Sequence, residues 1–224
     1  MGDAPVVENE QARQQIFDMA RRFLSRPRSG IHVSSLVTPL KHYYRTKYPE
    51  IALSDRQIGY FMTGRSIHSI LQMLTVQPQF REVSVEWMGI HGTIDIWEDK
   101  IIEIKSTRLQ SPLTPERVLS DHSEWLLQID FYRAMTNCQA AQLWVFYIGA
   151  KKREGGTAPT LQVFDIRPTD LEKVRAEMLT RKQLLEEALA NSDPSKLPPC
   201  SPWMCRECEY KNICVASKLK EAER

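Results

Sequence analysis

The stretch HGTIDIWEDKIIEIKST, residues 91–107, constrains this chain more than any other. Apolar and polar residues alternate along it, which reads as two strands joined by a short turn. Side chains on a strand alternate faces. With a three-residue turn at Glu98, Asp99 and Lys100, Trp97 faces Ile101 and Asp95 stands directly across from Glu103. Lys105 shares their face, and Ile94, Ile96, Ile102 and Ile104 occupy the other. Like charges opposed on a ladder destabilise it. A solvated edge tolerates them; a buried site needs a cation between them.

A hard divalent ion fits that need. Mg²⁺ or Mn²⁺ binds through one or two carboxylates, with water and substrate phosphate completing the shell. Such an ion activates water and neutralises charge that builds on a phosphate, and Lys105 could orient the water or stabilise the phosphorane.

The rest of the chain reads as helices around more strands. An amphipathic helix is expected over 11–25, a short one over 35–47, and another over 63–76, with a capping box at Ser54 and Gln57 upstream. Strands are expected at 81–87, 90–97 and 100–106 and again in QLWVFYIG and LQVFDIR. SEWLLQIDFYRAM and PTDLEKVRAEMLTRKQLLEEALA read as helices, and residues 107–123 as a loop with room for a turn of helix. This order suits a mixed central sheet flanked by helices. The expected division is a core over 1–194 and a small cysteine-rich module over 195–224.

Three features join the hairpin. His68 lies on the face of its helix that carries Gly64 and Leu71/Gln72, a candidate nitrogen ligand. Gln128 and Tyr132 stand four apart on one helix face and can meet. Gly92 lacks a side chain where a substrate backbone could approach. G-R-x-x-H, then G-x-x-D, E-x-K and Q-x-x-x-Y, in this order, resembles the PD-(D/E)XK nuclease superfamily, in particular RecB-like exonucleases, including CRISPR-associated ones. The resemblance spans roughly residues 34–214. It implies a restriction-endonuclease-like α/β core and a metal held by His68, Asp95, Glu103 and the carbonyl of Ile104. It also implies that Lys105, Gln128 and Tyr132 serve the reaction, with DNA as substrate, single strands or ends above all. Glu86, in VSVEW, could join that site. A helicase or integrase partner follows by analogy only.

CSPWMCRECEYKNIC places Cys200, Cys205, Cys208 and Cys214 within fifteen residues. Such density points to sulfur-ligated zinc or an iron-sulfur cluster. Many RecB-like relatives carry a [4Fe-4S] cluster that staples the C-terminal tail to the core, and Cys205, Cys208 and Cys214 resemble theirs. Their fourth cysteine lies early in the chain, where this sequence has Thr38 and Pro39. Cys200 is the candidate replacement, which would make the site local; zinc is the alternative. Cys138, at a helix end, reads as a core residue.

In KHYYRTKY, Lys41, Arg45 and Lys47 alternate with Tyr43, Tyr44 and Tyr48. Cations track phosphates and aromatic faces stack on unpaired bases, although the same pattern suits a helix with its tyrosines turned inward. Arg21, Arg22, Arg26 and Arg28 form a second basic group. A net charge of +2 over 224 residues permits nucleic-acid binding without demanding it. There is no apolar run of membrane-spanning length, and the polar N-terminus is no secretory signal. The cytosol is therefore expected, with its five cysteines reduced. Two other readings remain open: a non-catalytic nucleic-acid-binding subunit on the same fold, and a zinc-dependent interaction module.

Overall fold

The computed structural model describes residues 9–24, 29–149 and 160–214. Helix α1 (Glu10–Leu24) leads to a two-residue strand β1 (Ile31–His32), then α2 (Val33–Val37), α3 (Pro39–Lys47) and α4 (Asp55–Thr75). Three strands follow: β2 (Arg81–Trp87), β3 (Ile90–Trp97) and β4 (Ile101–Thr107). After them come α5 (Pro115–Asp121), α6 (Ser123–Thr136), β5 (Ala141–Tyr147), β6 (Leu161–Ile166), α7 (Leu171–Asn191) and the one-turn α8 (Pro202–Cys205). The mixed α/β architecture is the one expected. Four elements differ from expectation. The single helix expected over 35–47 is divided at Thr38 into α2 and α3, because Pro39 can open a helix but not continue one. Helix α4 starts at Asp55 rather than near 63, because the Ser54–Gln57 capping box nucleates it. Residues 115–121 form α5, about two turns of helix in a segment expected to hold at most one. Strand β1 is too short to leave a periodic signal.

The sheet runs β1-β3-β4-β5-β6, with β2 also paired to β3. β2 pairs with Ile90, His91 and Ile96 of β3; β1 pairs with Ile90 and His91, and β4 with Ile96 and Trp97. A strand has two edges, so β1 and β4 must share the edge of β3 that β2 leaves open. Residues 92–95 lie between them, where β3 and β4 part into a fork. β4 then lies parallel to β5 along its full length, and β5 antiparallel to β6.

Two clusters of buried side chains flank this fork. The larger contains Ile90, Ile94, Ile101, Leu143 and Val145 from the sheet with Ile129 and Phe131 of α6. The smaller contains Ile96, Ile102 and Ile104 packed on Leu71, Val76 and Trp144. Ile94 therefore does not share a core with Ile96, Ile102 and Ile104, contrary to simple alternation. The change falls at Asp95, the residue at which the ladder opens. Leu197 and Tyr210 of the tail belong to the larger cluster, so the tail packs on the core. No helix among the described residues is long and apolar enough to cross a membrane.

Candidate active site at the β3–β4 fork

Trp97 faces Ile101 as the turn length requires, but the ladder ends one pair later, at Ile96 and Ile102. Asp95 is thus not a ladder partner of Glu103. Its side chain takes the place of a strand: Asp95 Oδ2 accepts the Ile104 N–H at 2.7 Å. This bond satisfies a backbone donor that the parting strands would otherwise orphan, and it fixes one carboxylate oxygen. The other oxygen lies 3.4 Å from His68 Nδ1. His68 arrives from α4 because that helix crosses β4 closely. A Cβ on Gly64 would stand 3.1 Å from Ser106 Oγ, and His68 is one turn further along the same face.

Glu103 is the most constrained group of the fork. It is 2% exposed. Its Oε1 accepts from Lys105 Nζ at 2.6 Å, whereas its Oε2 is buried with no hydrogen-bond partner. Burial, countered in part by Lys105 and reinforced by Asp95, pushes its pKa up to about 7. Lys105 Nζ also donates to Gln128 Oε1 at 2.9 Å. Gln128 in turn donates through Nε2 to Tyr132 Oη at 3.2 Å, and Tyr132 donates to the Thr93 carbonyl at 2.8 Å. The chain Glu103–Lys105–Gln128–Tyr132 thus runs from β4 to α6 and back to β3 across the fork. Burial raises the Tyr132 pKa well above its ordinary value, so its hydroxyl stays protonated as a donor.

The hairpin, His68, Gln128 and Tyr132 are therefore brought to one place; Ile104 joins them through its backbone N–H on Asp95, with its side chain buried in the smaller cluster. Gly92 has a different role from the one expected. A Cβ there would lie 2.8 Å from Tyr132 Cε1, so the missing side chain admits this ring rather than a substrate backbone. Glu86 is exposed and faces His91 Nδ1 at 3.6 Å, four residues along the strand from Asp95. Sequence reasoning passed over Gln72, whose Nε2 donates to the Asp95 carbonyl at 2.9 Å and to Glu82 Oε1 at 2.8 Å. It stands one turn beyond His68 on the same face, and that spacing was the available signal.

The basic segment behaves otherwise. Tyr43 and Tyr44 are 5% and 4% exposed, so they serve the core and offer no open face to a base. Their apolar area is worth more inside than at the surface. Lys41 pairs with Glu209 at 3.1 Å, Arg45 donates to the Leu24 carbonyl and Lys47 to Ser192 Oγ. Arg21 is engaged with Asp18 and Asp55. Arg26 and Arg28 lie outside the described residues.

Cys200, Cys205, Cys208 and Cys214 line one small apolar cavity of about 20 Å³ together with Leu40, Lys41 and Tyr44 of α3. The tail is thus joined to the N-terminal helices even without an early cysteine. Burial raises Cys200 to about 11 and Cys208 upward, so both are neutral thiols as they stand. Cys138 is half-buried against the core. Among the described residues, no three His, Cys, Asp or Glu side chains are gathered closely enough to form a ready metal-holding group. The fork nonetheless fits a hard cation: it offers an orphaned carboxylate oxygen beside Asp95, and Mg²⁺ needs only one or two carboxylates.

The sheet, its fork and the acid-x-lysine strand define an α/β protein with a restriction-endonuclease-like core. The chain belongs to the PD-(D/E)XK nuclease superfamily, whose family model matches residues 58–215. Among solved structures, the protein designated SSO0001 is 20% identical, with 93% of this chain and 98% of that one covered at a TM-score of 0.58. A phage-related exonuclease from Haemophilus somnus 129PT is 16% identical over 82% of this chain and 84% of its own, at a TM-score of 0.40. The first likeness is one of fold. Among curated proteins, none matches this chain.

Proposed function

We propose that this protein is a divalent-metal-dependent deoxyribonuclease that processes DNA ends as an exonuclease, with a preference for single strands. The observation that carries the hydrolytic reading is the fork itself, where Asp95 and Glu103 are held beside a lysine that has a proton to spare. The end-wise mode and the single-strand preference rest on the resemblance to RecB-like exonucleases.

His68, Asp95, Glu103 and the carbonyl of Ile104 would hold Mg²⁺ or Mn²⁺. When bound, such an ion polarises a phosphate oxygen and lowers the pKa of water. The chain's own groups do the rest. Lys105 has three N–H donors and spends two of them on Glu103 and Gln128. The third is left to point at the attacking water or at a non-bridging phosphate oxygen, where charge grows as the new P–O bond forms and the bridging one breaks. Gln128 and Tyr132 keep the ammonium from swinging away. The Ile104 N–H keeps the Asp95 carboxylate from rotating, and Gln72 holds the Asp95 backbone through its carbonyl.

We assign the four tail cysteines to a sulfur-ligated group, a [4Fe-4S] cluster, with zinc as the alternative. Supporting this, all four line one cavity, and Lys211 beside it would offset part of the charge of the thiolates. The group would serve as a tether and leave the hydrolysis to the fork.

End-labelled single- and double-stranded DNA, incubated with Mg²⁺ or Mn²⁺ after anaerobic purification, tests the reading. Metal-dependent release of label, lost in Asp95→Ala and Lys105→Ala, is expected. Intact protein that binds DNA but never cuts it would instead mark a non-catalytic binding subunit. A brown protein absorbing near 400 nm supports the cluster, and a colourless one containing zinc excludes it.

A further inference from the structure

One face of α4 runs alongside β4 and its exit. His68 meets Asp95, Gly64 meets Ser106, and Tyr60, a turn earlier again, meets Arg108. The three α4 residues are spaced by four, so they form a single line. Arg108 lies three residues beyond Lys105 on the chain that leaves the fork. Its guanidinium sits 3.8 Å from the centre of the Tyr60 ring. Arg56 comes within 5.4 Å of the same ring and donates to the Tyr60 hydroxyl.

Two guanidinium groups are thereby gathered on one aromatic side chain. Arg108 is exposed, and among the described residues no acidic side chain pairs with it. Arg56 faces Glu207 at 3.6 Å, with both side chains more than half exposed, a pairing that water screens heavily. A stacked guanidinium has already lost much of its rotational freedom and presents its N–H fork outward in the geometry that suits a phosphate. From His68 to Tyr60 is eight residues of helix, or ~12 Å. That is a few nucleotides at the ~3.4 Å rise of a strand.

We propose that Arg108, laid on Tyr60 and flanked by Arg56, is a backbone-phosphate subsite that grips the nucleic-acid strand a few nucleotides from the bond cut at the fork. The proposal rests on the nuclease reading above and adds the direction from which the strand arrives: along α4, past the N-terminal side of His68. Its ligand is a phosphodiester read without regard to base, because the Tyr60 face is already covered by arginine and is closed to a nucleobase.

Fluorescence anisotropy of a labelled twelve-nucleotide single strand, recorded in EDTA over a series of salt concentrations, separates this subsite from catalysis. Arg108→Ala is expected to weaken binding about tenfold at low salt and to reduce the salt slope by ~0.7, the value for one phosphate contact on a single strand. Arg108→Lys should keep the slope. In Mg²⁺ or Mn²⁺, Arg108→Ala should raise KM and leave kcat within about twofold. Arg108→Ala with wild-type affinity and slope, in a protein that still cuts, would overturn the subsite and spare the nuclease reading. A lowered melting temperature in Arg108→Ala would make the residue structural and overturn it too. Wild-type protein that neither binds nor cuts DNA would overturn both.

Discussion

At the fork, burial raises Glu103 to about 7 although Lys105 Nζ is 2.6 Å away. At the tail, burial raises Cys200 to about 11, and the nearby Lys41 is occupied by Glu209. Both regions bury ionisable groups, but the fork supplies a fixed network of donors around its carboxylates, and the tail supplies an apolar wall. The first arrangement orients protons and charge. The second excludes water from sulfur and gives nothing to a reacting phosphate. The two are joined mechanically: Gln57 in the first turn of α4 donates to the Glu207 carbonyl of the tail at 2.6 Å, and α4 carries His68 and Gln72 to the fork. One region is read as chemistry and the other as the clamp on the helix that completes it.

The sharpest way to break this division is to damage each region in turn. Lys105→Ala should act mainly on kcat, lowering it by roughly 10²–10³, with about 1–3 kcal/mol of stability lost as buried Glu103 loses its hydrogen-bond donor. Cys208→Ala should do the reverse: a loss of several kcal/mol in stability if a structural metal is lost, since metal binding and folding are linked, with kcat of the remaining folded molecules changed only a few-fold. Stopped cleavage in a Cys208→Ala protein that melts like wild type would end the clamp reading.

A pH test sharpens the account of Glu103. Its folded pKa, about 7, lies above the ordinary value of 4.5. The stability contributed by the neutral carboxyl is therefore fully present below about pH 4.5 and is lost as pH rises through about 7. In EDTA, Glu103→Gln should melt several degrees above wild type at pH 8, where a gain of 1 kcal/mol is worth about 2–4 °C. At pH 4.5 the two should nearly coincide, and activity of the variant should be gone. Equal melting at both pH values would mean that the carboxylate is better solvated than the fork implies.

Smaller effects belong to the packing that holds the network. Gly92→Ala places a methyl group 2.8 Å from Tyr132, so about 1–3 kcal/mol of stability should be lost, with a drop in kcat as Gln128 loses its support. Gly59→Ala, by contrast, meets nothing within 4 Å on α4. It should stabilise the protein by about 0.5–1 kcal/mol, measured as denaturant midpoint, with both activity and the tail unaffected.

The two regions also differ in how much of them the sequence disclosed. Asp95, Glu103 and Lys105 are legible because strand alternation and turn length fix their neighbourhood, and His68, Gln128 and Tyr132 because helical spacing fixes theirs. The detail of the fork is not legible. Alternation assumes an unbroken ladder, and the ladder breaks at Asp95 because its side chain captures the Ile104 N–H. Gly92 was misread for a related reason: its neighbour Tyr132 is forty residues away, beyond any local pattern. The tyrosines of α3 show the limit of composition. KHYYRTKY has the residues of a strand-binding surface, but Tyr43 and Tyr44 are turned into the core, and helix periodicity rather than residue type decides that. The Arg108–Tyr60 stack joins a loop to a helix nearly fifty residues earlier, and only the fold reveals it.

Calorimetric titration of metal-free protein with Mn²⁺ near pH 6.5, repeated in buffers of different ionisation heat, tests the central claim most directly. One site is predicted, with proton release because neutral Glu103 must ionise to bind, and with both binding and release lost in Asp95→Ala. Mn²⁺ binding that persists in Asp95→Ala, or no binding by protein whose fold is intact, would contradict the fork as the metal-dependent centre.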